Sequence, residues 1–166
     1  MWIDLPHLWI AILNCLGIPA AHLLVAWGST RLPSSVFRAR SGRPPARDGR
    51  LYEKLFLVRR WKHLLPDAAP WFGGIAKATL QSADPAYLDT FAAETRRGEF
   101  SHWLQLLVIS AFILWTPFPA ALAIIAWAIL SNLPCIINLR HTRLRIRHLR
   151  FRIEARRLIA PIERQS

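Results

Sequence analysis

Two stretches of the chain, Leu5–Thr30 and Trp103–Leu139, contain no Asp, Glu, Lys or Arg, and the second also lacks His. A bilayer core of roughly 30 Å is crossed by about 20 helical residues. The first stretch therefore predicts one span, at about residues 5–27. The second is too long for one untilted span and carries Thr116-Pro117-Phe118-Pro119 near its middle. Paired prolines remove helical donors and push the residues before them out of the helical region. This predicts a tight hairpin, with one helix ending near Trp115 and another running from about Ala120 to Leu139. Trp103–Trp115 alone is short, so the helix before the turn should begin earlier, near residue 99. The expected fold is an all-α integral membrane protein with about three transmembrane helices, at 5–27, 99–115 and 120–139.

The intervening loop, residues 28–98, has its own order. Ser34–Gly49 is rich in Ser, Gly, Pro and Arg and reads as an irregular linker. Leu51, Leu55, Val58, Trp61 and Leu65 then recur near helical spacing with charges between them. That pattern predicts an interfacial amphipathic helix over 51–65. Asp84-Pro85 reads as an N-cap followed by proline at the first helical position. The helix it opens should run through Arg96 into the second span, with Gly98 as the weak point of the join. No internal repeat or heptad run is visible, and residues 1–166 read as a single membrane-embedded domain.

Charge changes the picture by giving the spans a direction. Just over half the residues are hydrophobic (53%), with eight tryptophans, yet the net charge is +12. The two coexist because they are segregated along the chain. Basic residues crowd Arg31–Lys62, against only Asp48 and Glu53, and they dominate the tail 140–166. Basic flanks stay cytoplasmic. Three spans then place the N-terminus outside, loop 28–98 inside, the uncharged hairpin outside and the C-terminus inside. The expected site is the inner (cytoplasmic) membrane, crossed several times. No Lys or Arg precedes Arg31, and Asp4 stands where a signal peptide would be positive, so the first span is expected to be retained. Cys15 and Cys135 read as small buried hydrophobes, without disulfide or zinc spacing. The basic tail follows a span directly and holds one aromatic, Phe151. Anionic lipid is therefore its expected partner rather than nucleic acid.

Two clusters carry candidate chemistry, both at the cytoplasmic boundary. One is Arg59-Arg60-Trp61-Lys62-His63, with Asp67 shortly after. The other is Glu94-Thr95-Arg96-Arg97-Gly98-Glu99, followed by His102-Trp103. Thr95, Glu99 and His102 share a helix face at spacings of four and three. A carboxylate beside an imidazole raises its basicity and selects a tautomer, as a general base acting on a hydroxyl requires. His63 and Asp67 are a second possible pair. Against this stands plain anchoring, in which charged residues and tryptophan at a helix end bind lipid headgroups. Glu94 and Glu99 resist that reading, because acidic groups beside an apolar span need partners.

At these residues the sequence resembles the glycosyl-4,4′-diaponeurosporenoate acyltransferase family of staphyloxanthin-type carotenoid biosynthesis. Four blocks match in order: Thr30-Arg31-Leu32-Pro33 with Phe37-Arg38; Val58–His63 with Asp67; Glu94–Glu99 with His102-Trp103; and Asn132-Leu133-Pro134 followed by Arg140, Arg143 and Arg145. The middle two are the more specific. The resemblance implies transfer of a fatty acyl chain to a sugar hydroxyl of a glycosylated membrane lipid. It implies a base, either His102 oriented by Glu99 or His63 oriented by Asp67. Substrate-binding roles would fall to Arg59, Trp61, Lys62, Glu94, Arg96, Asn132, Arg140 and Arg143. Asn132, with Pro134 breaking the helix just beyond it, would open space for a head group, or else simply bond between helices. No Ser or Cys stands in a nucleophile motif, so transfer is expected to be direct, without metal or cofactor. The donor would be acyl-CoA or acyl carrier protein as co-substrate. Segment Ala68–Ala83 has no counterpart in the family pattern, which leaves the acceptor open between a glycosyl carotenoid and another glycolipid. The competing reading is a non-enzymatic scaffold or lipid-binding subunit of a lipid or pigment pathway.

Overall fold

The computed structural model describes residues 2–38, 49–65, 71, 73 and 80–163, and these are helical, with no strand among them. Helices α1 (His7–Ile12) and α2 (Ile18–Arg31) are joined by a single π turn, Leu13–Gly17. After a 3-10 turn at Ser34–Phe37 come the short α3 (Arg50–Phe56) and α4 (Val58–Trp61), then a 3-10 turn at Lys62–Leu64. The long helices α5 (Pro85–Ser110) and α6 (Ala120–Glu163) complete the chain.

Helix α5 begins where the sequence places it. The Asp84 carboxylate accepts from the backbone N–H groups of Ala86 and Tyr87 at 3.0 and 3.2 Å, satisfying donors that have no partner within the helix. The helix passes Gly98 without a break. It closes through a 3-10 turn, Ala111–Leu114, into the expected proline hairpin.

The long helices are antiparallel. Ion pairs and hydrogen bonds join Asp89 to Arg150, Glu99 to Arg143, and His102 to Asn132, descending α6 as they climb α5. α2 runs antiparallel to α5 as well, tied by Arg97 to the Thr30 carbonyl and by Gln105 to His22. Two apolar clusters hold this bundle. Ile109, Phe112, Ile124 and Ala128 pack near the hairpin together with Ile18 and Ala21 of α2. Leu88, Phe91 and Ile146 pack at the far end with Leu149 and Ile153. Between them lies a layer of buried polar groups: Glu94, Thr95, Glu99, Gln105, Asn132 and His141.

Among the described residues two helical stretches, His7–Arg31 and that of α6, are long and apolar enough to cross a membrane. They carry exposed apolar side chains, including Leu8, Trp9, Leu23 and Leu24 on the first and Leu122, Trp127 and Leu130 on the second. The expected span at 99–115 does not reach that length. Glu94, Arg96, Arg97 and Glu99 occupy the turns before Trp103, so the apolar part of α5 is too short to count. Two of the about three expected spans thus have apolar helices of membrane length, and α5, which runs antiparallel to both, is half-polar.

Three further expectations change. The amphipathic helix over 51–65 is broken at Leu57, whose φ of 49° and ψ of 41° lie in the left-handed region. That conformation costs roughly 1 kcal/mol for a residue bearing a side chain. It is held by the fully buried Val58, by Trp61 Nε1 donating to the Phe56 carbonyl at 2.7 Å, and by the Arg59 N–H donating to Glu53 at 3.2 Å. Pro134 does not break α6, because the helix is packed against its neighbours through buried residues on both sides, Ala128 before and Ile136 after. The basic tail after Leu139, expected to follow the helix, is itself helical. It continues α6 and buries Ile146 against α5.

Replacing Asp84 by Ala is expected to cost about 1 kcal/mol of stability, and Asp84→Asn almost nothing. Thermal unfolding of the purified protein in detergent measures both.

Candidate functional site

The centre of the polar layer is Glu99. It is 8% exposed, and each of its oxygens meets a guanidinium from α6. Oε1 accepts from Arg140 Nε, and Oε2 pairs with Arg143 Nη2 at 2.6 Å. Arg140 also lies over the Trp103 ring, 5.9 Å from its centroid. One turn earlier, Glu94 holds Arg97 at 2.6 Å. Arg97 in turn reaches the Thr30 carbonyl at 3.5 Å, at the C-terminal end of α2 where a cation is favoured. Arg96 donates to the Phe37 carbonyl at 3.1 Å and so fixes the chain leaving α2.

The charges do not cancel. Arg97 is matched by Glu94, but the single carboxylate of Glu99 faces both Arg140 and Arg143. Burial first, then repulsion from Arg143 and Arg147, lowers the hold of Arg96 on its proton from the ordinary value, with Glu99 opposing. An arginine stays charged through such a shift, so the repulsion reports crowded positive charge. Arg143 Nη1 is buried without a hydrogen-bond partner among the described residues. A buried donor on a cation, in a region of surplus positive charge, fits an anionic group.

One turn along α5 from Glu99 stands His102. Its Nδ1 is 3.0 Å from Asn132 Oδ1, and Asn132 is fully buried. A third element closes over this pair of helices. Glu53 of α3 lies 3.7 Å from Nε2 of His141, a residue of α6 that is 2% exposed. Gly49 sits so near α6 that a β-carbon there would stand 3.2 Å from Arg145 Cγ and 3.5 Å from the His141 ring.

Glu99, His102, Asn132, Arg140 and Arg143 are thus gathered along the α5–α6 seam, while Arg96, and Glu94 through Arg97, are turned to the end of α2 and the turn after it. The Glu99 oxygens go to arginines, while the Nδ1 of His102 goes to Asn132. The expected pairing of Glu99 with His102 is not among these contacts: Glu99 meets Arg140 and Arg143, and His102 meets Asn132. Arg59 is turned to Glu53 at 3.9 Å, and the Trp61 indole is spent on the Phe56 carbonyl. Lys62 and His63 are exposed on their 3-10 turn. Asp67 lies outside the described residues. Glu53, His141 and the Asp89–Arg150 pair were not singled out from the sequence. Glu53 offered one signal, as a rare acid in a basic stretch, and His141 had none beyond following Arg140. Among the described residues no three His, Cys, Asp or Glu side chains converge as a metal-ligand set.

A helical protein with membrane-length apolar helices and a half-buried histidine–arginine seam is the class that this geometry defines. Residues 33–152 match the family described as glycosyl-4,4′-diaponeurosporenoate acyltransferase, and the chain belongs to that family. It is 34% identical over 101 residues to a protein of that name from Staphylococcus haemolyticus (strain JCSC1435), covering 60% of this chain and 58% of the relative. It is 29% identical over 127 residues to the one from Staphylococcus aureus (strain USA300), covering 72% and 75%. The match to the first of these thus spans less than two thirds of that relative's length. No solved structure matches the chain. The family match contains the whole seam and leaves α1 and α2 outside it.

Removing the carboxylate of Glu99 leaves Arg143 buried without a counter-charge. Glu99→Gln is expected to destabilise the protein by about 3 kcal/mol. Adding Arg143→Gln should cost less than the sum of the two single changes, because the partners act together. Thermal unfolding of the four proteins completes the cycle.

Proposed function

We propose that this protein transfers a fatty acyl chain from an activated donor to a sugar hydroxyl of a glycosylated lipid at the cytoplasmic face of the inner membrane. A glycosyl carotenoid is the acceptor named by its relatives, and another glycolipid is the wider class. The observation that carries this reading is the seam itself: a histidine held by a buried amide, one turn from arginines whose charge exceeds that of Glu99. A lipid anchor needs neither the amide nor the buried carboxylate.

In this reading the substrates meet where the apolar surface of α6 gives way to arginine. His102 takes the proton of the acceptor hydroxyl as its oxygen attacks the acyl carbonyl. The tetrahedral oxyanion forms within reach of the guanidinium groups, with Arg140 and Arg143 the nearest candidates to stabilise it. It collapses to the new ester, and the imidazolium returns the proton to the departing thiolate. Arg96 and Arg143 bind the phosphate groups of an acyl-CoA or acyl carrier protein thioester. Glu94 supports this set through Arg97, and Arg59 and Lys62 add positive charge on the loop above. No metal or cofactor takes part. The N-terminus lies outside, and loop 28–98 and the arginine-rich end of α6 lie in the cytoplasm on anionic lipid.

Lipid mass spectrometry of host membranes with and without the gene tests the reading. A glycolipid heavier by one fatty acyl group is expected only with the intact protein. The His102→Ala copy should lose that product, whereas His63→Ala, on its exposed turn, should retain most of it. Identical lipid profiles with the protein present would sink the enzyme and leave the scaffold.

A further inference from the structure

Both ends of the Asn132 amide are committed. Its Nδ2 donates to the Ala128 carbonyl at 2.9 Å and to Ser131 Oγ at 3.1 Å. The reverse orientation would bring Oδ1 against that carbonyl oxygen, two acceptors at hydrogen-bond distance inside a fully buried site. Oδ1 is therefore the atom that faces His102, and an amide oxygen can only accept. It follows that the His102 Nδ1, 3.0 Å away, is the donor. A neutral imidazole carries one ring proton, so its lone pair is on Nε2.

We infer that Asn132 is a positioning residue that locks His102 in the Nδ1–H tautomer and so makes Nε2 the proton-accepting atom. The catalytic part of this role rests on the acyl-transfer reading above.

An amide suits the task better than a carboxylate would. It selects the tautomer while stabilising the charged ring less than a carboxylate would, and so favours the neutral, proton-accepting form. On α5 the nearby acid is Glu99, already matched by Arg140 and Arg143 of α6. On α2 His22 is bonded to Gln105, one turn along α5 from His102.

The test uses the full-length protein in liposomes with isotope-labelled imidazole nitrogens, His102 being assigned by difference against His102→Gln. Wild type is expected to show a protonated Nδ1 and an unprotonated Nε2. Asn132→Leu should mix the two tautomers and lower kcat roughly 10-fold or more, with KM nearly unchanged. Asn132→Asp restores an acceptor of the same shape. Its negative charge raises the His102 pKa, so the base form appears only at higher pH. The acid limb of the kcat–pH profile should therefore shift upward while the plateau rate recovers. A wild-type ring protonated on Nε2 would overturn the inference, as would an Asn132→Leu protein with unchanged spectrum and kcat. Loss of folding in Asn132→Leu does not blunt the test, since the wild-type spectrum and the Asn132→Asp profile stand without it. The expected tautomer in a protein that acylates nothing would uphold the clamp and remove the acyltransferase.

Discussion

The meeting of Glu99 with Arg140 and Arg143 is the interaction on which the arrangement of the long helices turns. Arginines at the end of an apolar helix repel one another and prefer water. A carboxylate buried on the neighbouring helix reverses that preference, provided that it meets them in one register. One register of α5 against α6 does so. The same register brings His102 to Asn132 and Asp89 to Arg150. The apolar clusters on either side supply most of the burial, but apolar packing tolerates sliding far better than a buried ion pair does.

The polar layer sits between an apolar cluster and a strongly basic stretch of α6. Toward the hairpin, Ile109, Phe112, Ile124 and Ala128 form an apolar cluster. Away from it α6 bears an arginine at every second or third position from Arg140 to Arg152. The left-handed Leu57 and the close approach of Gly49 to α6 bring α3 and α4 down over the same level. Strain of this kind persists only where the surroundings over-determine it. Here Val58, Trp61 and Glu53 do so together.

The apolar stretches, the proline hairpin, the Asp84 cap and the charged blocks that hold the candidate site can all be read along the chain. Each is a local property, set by hydropathy, backbone chemistry or helical spacing within a few residues, and each was legible. Partner choice was decided only by tertiary structure. Glu99 and His102 share a helix face, and from spacing alone they pair with each other. In the fold, Arg140 reaches Glu99 from 41 positions away and Asn132 reaches His102 from 30. Local periodicity carries no information about which residues of a distant helix arrive opposite. The same holds for His141 beneath Glu53, and for Pro134, whose helix survives because packing on both sides outweighs one missing hydrogen bond.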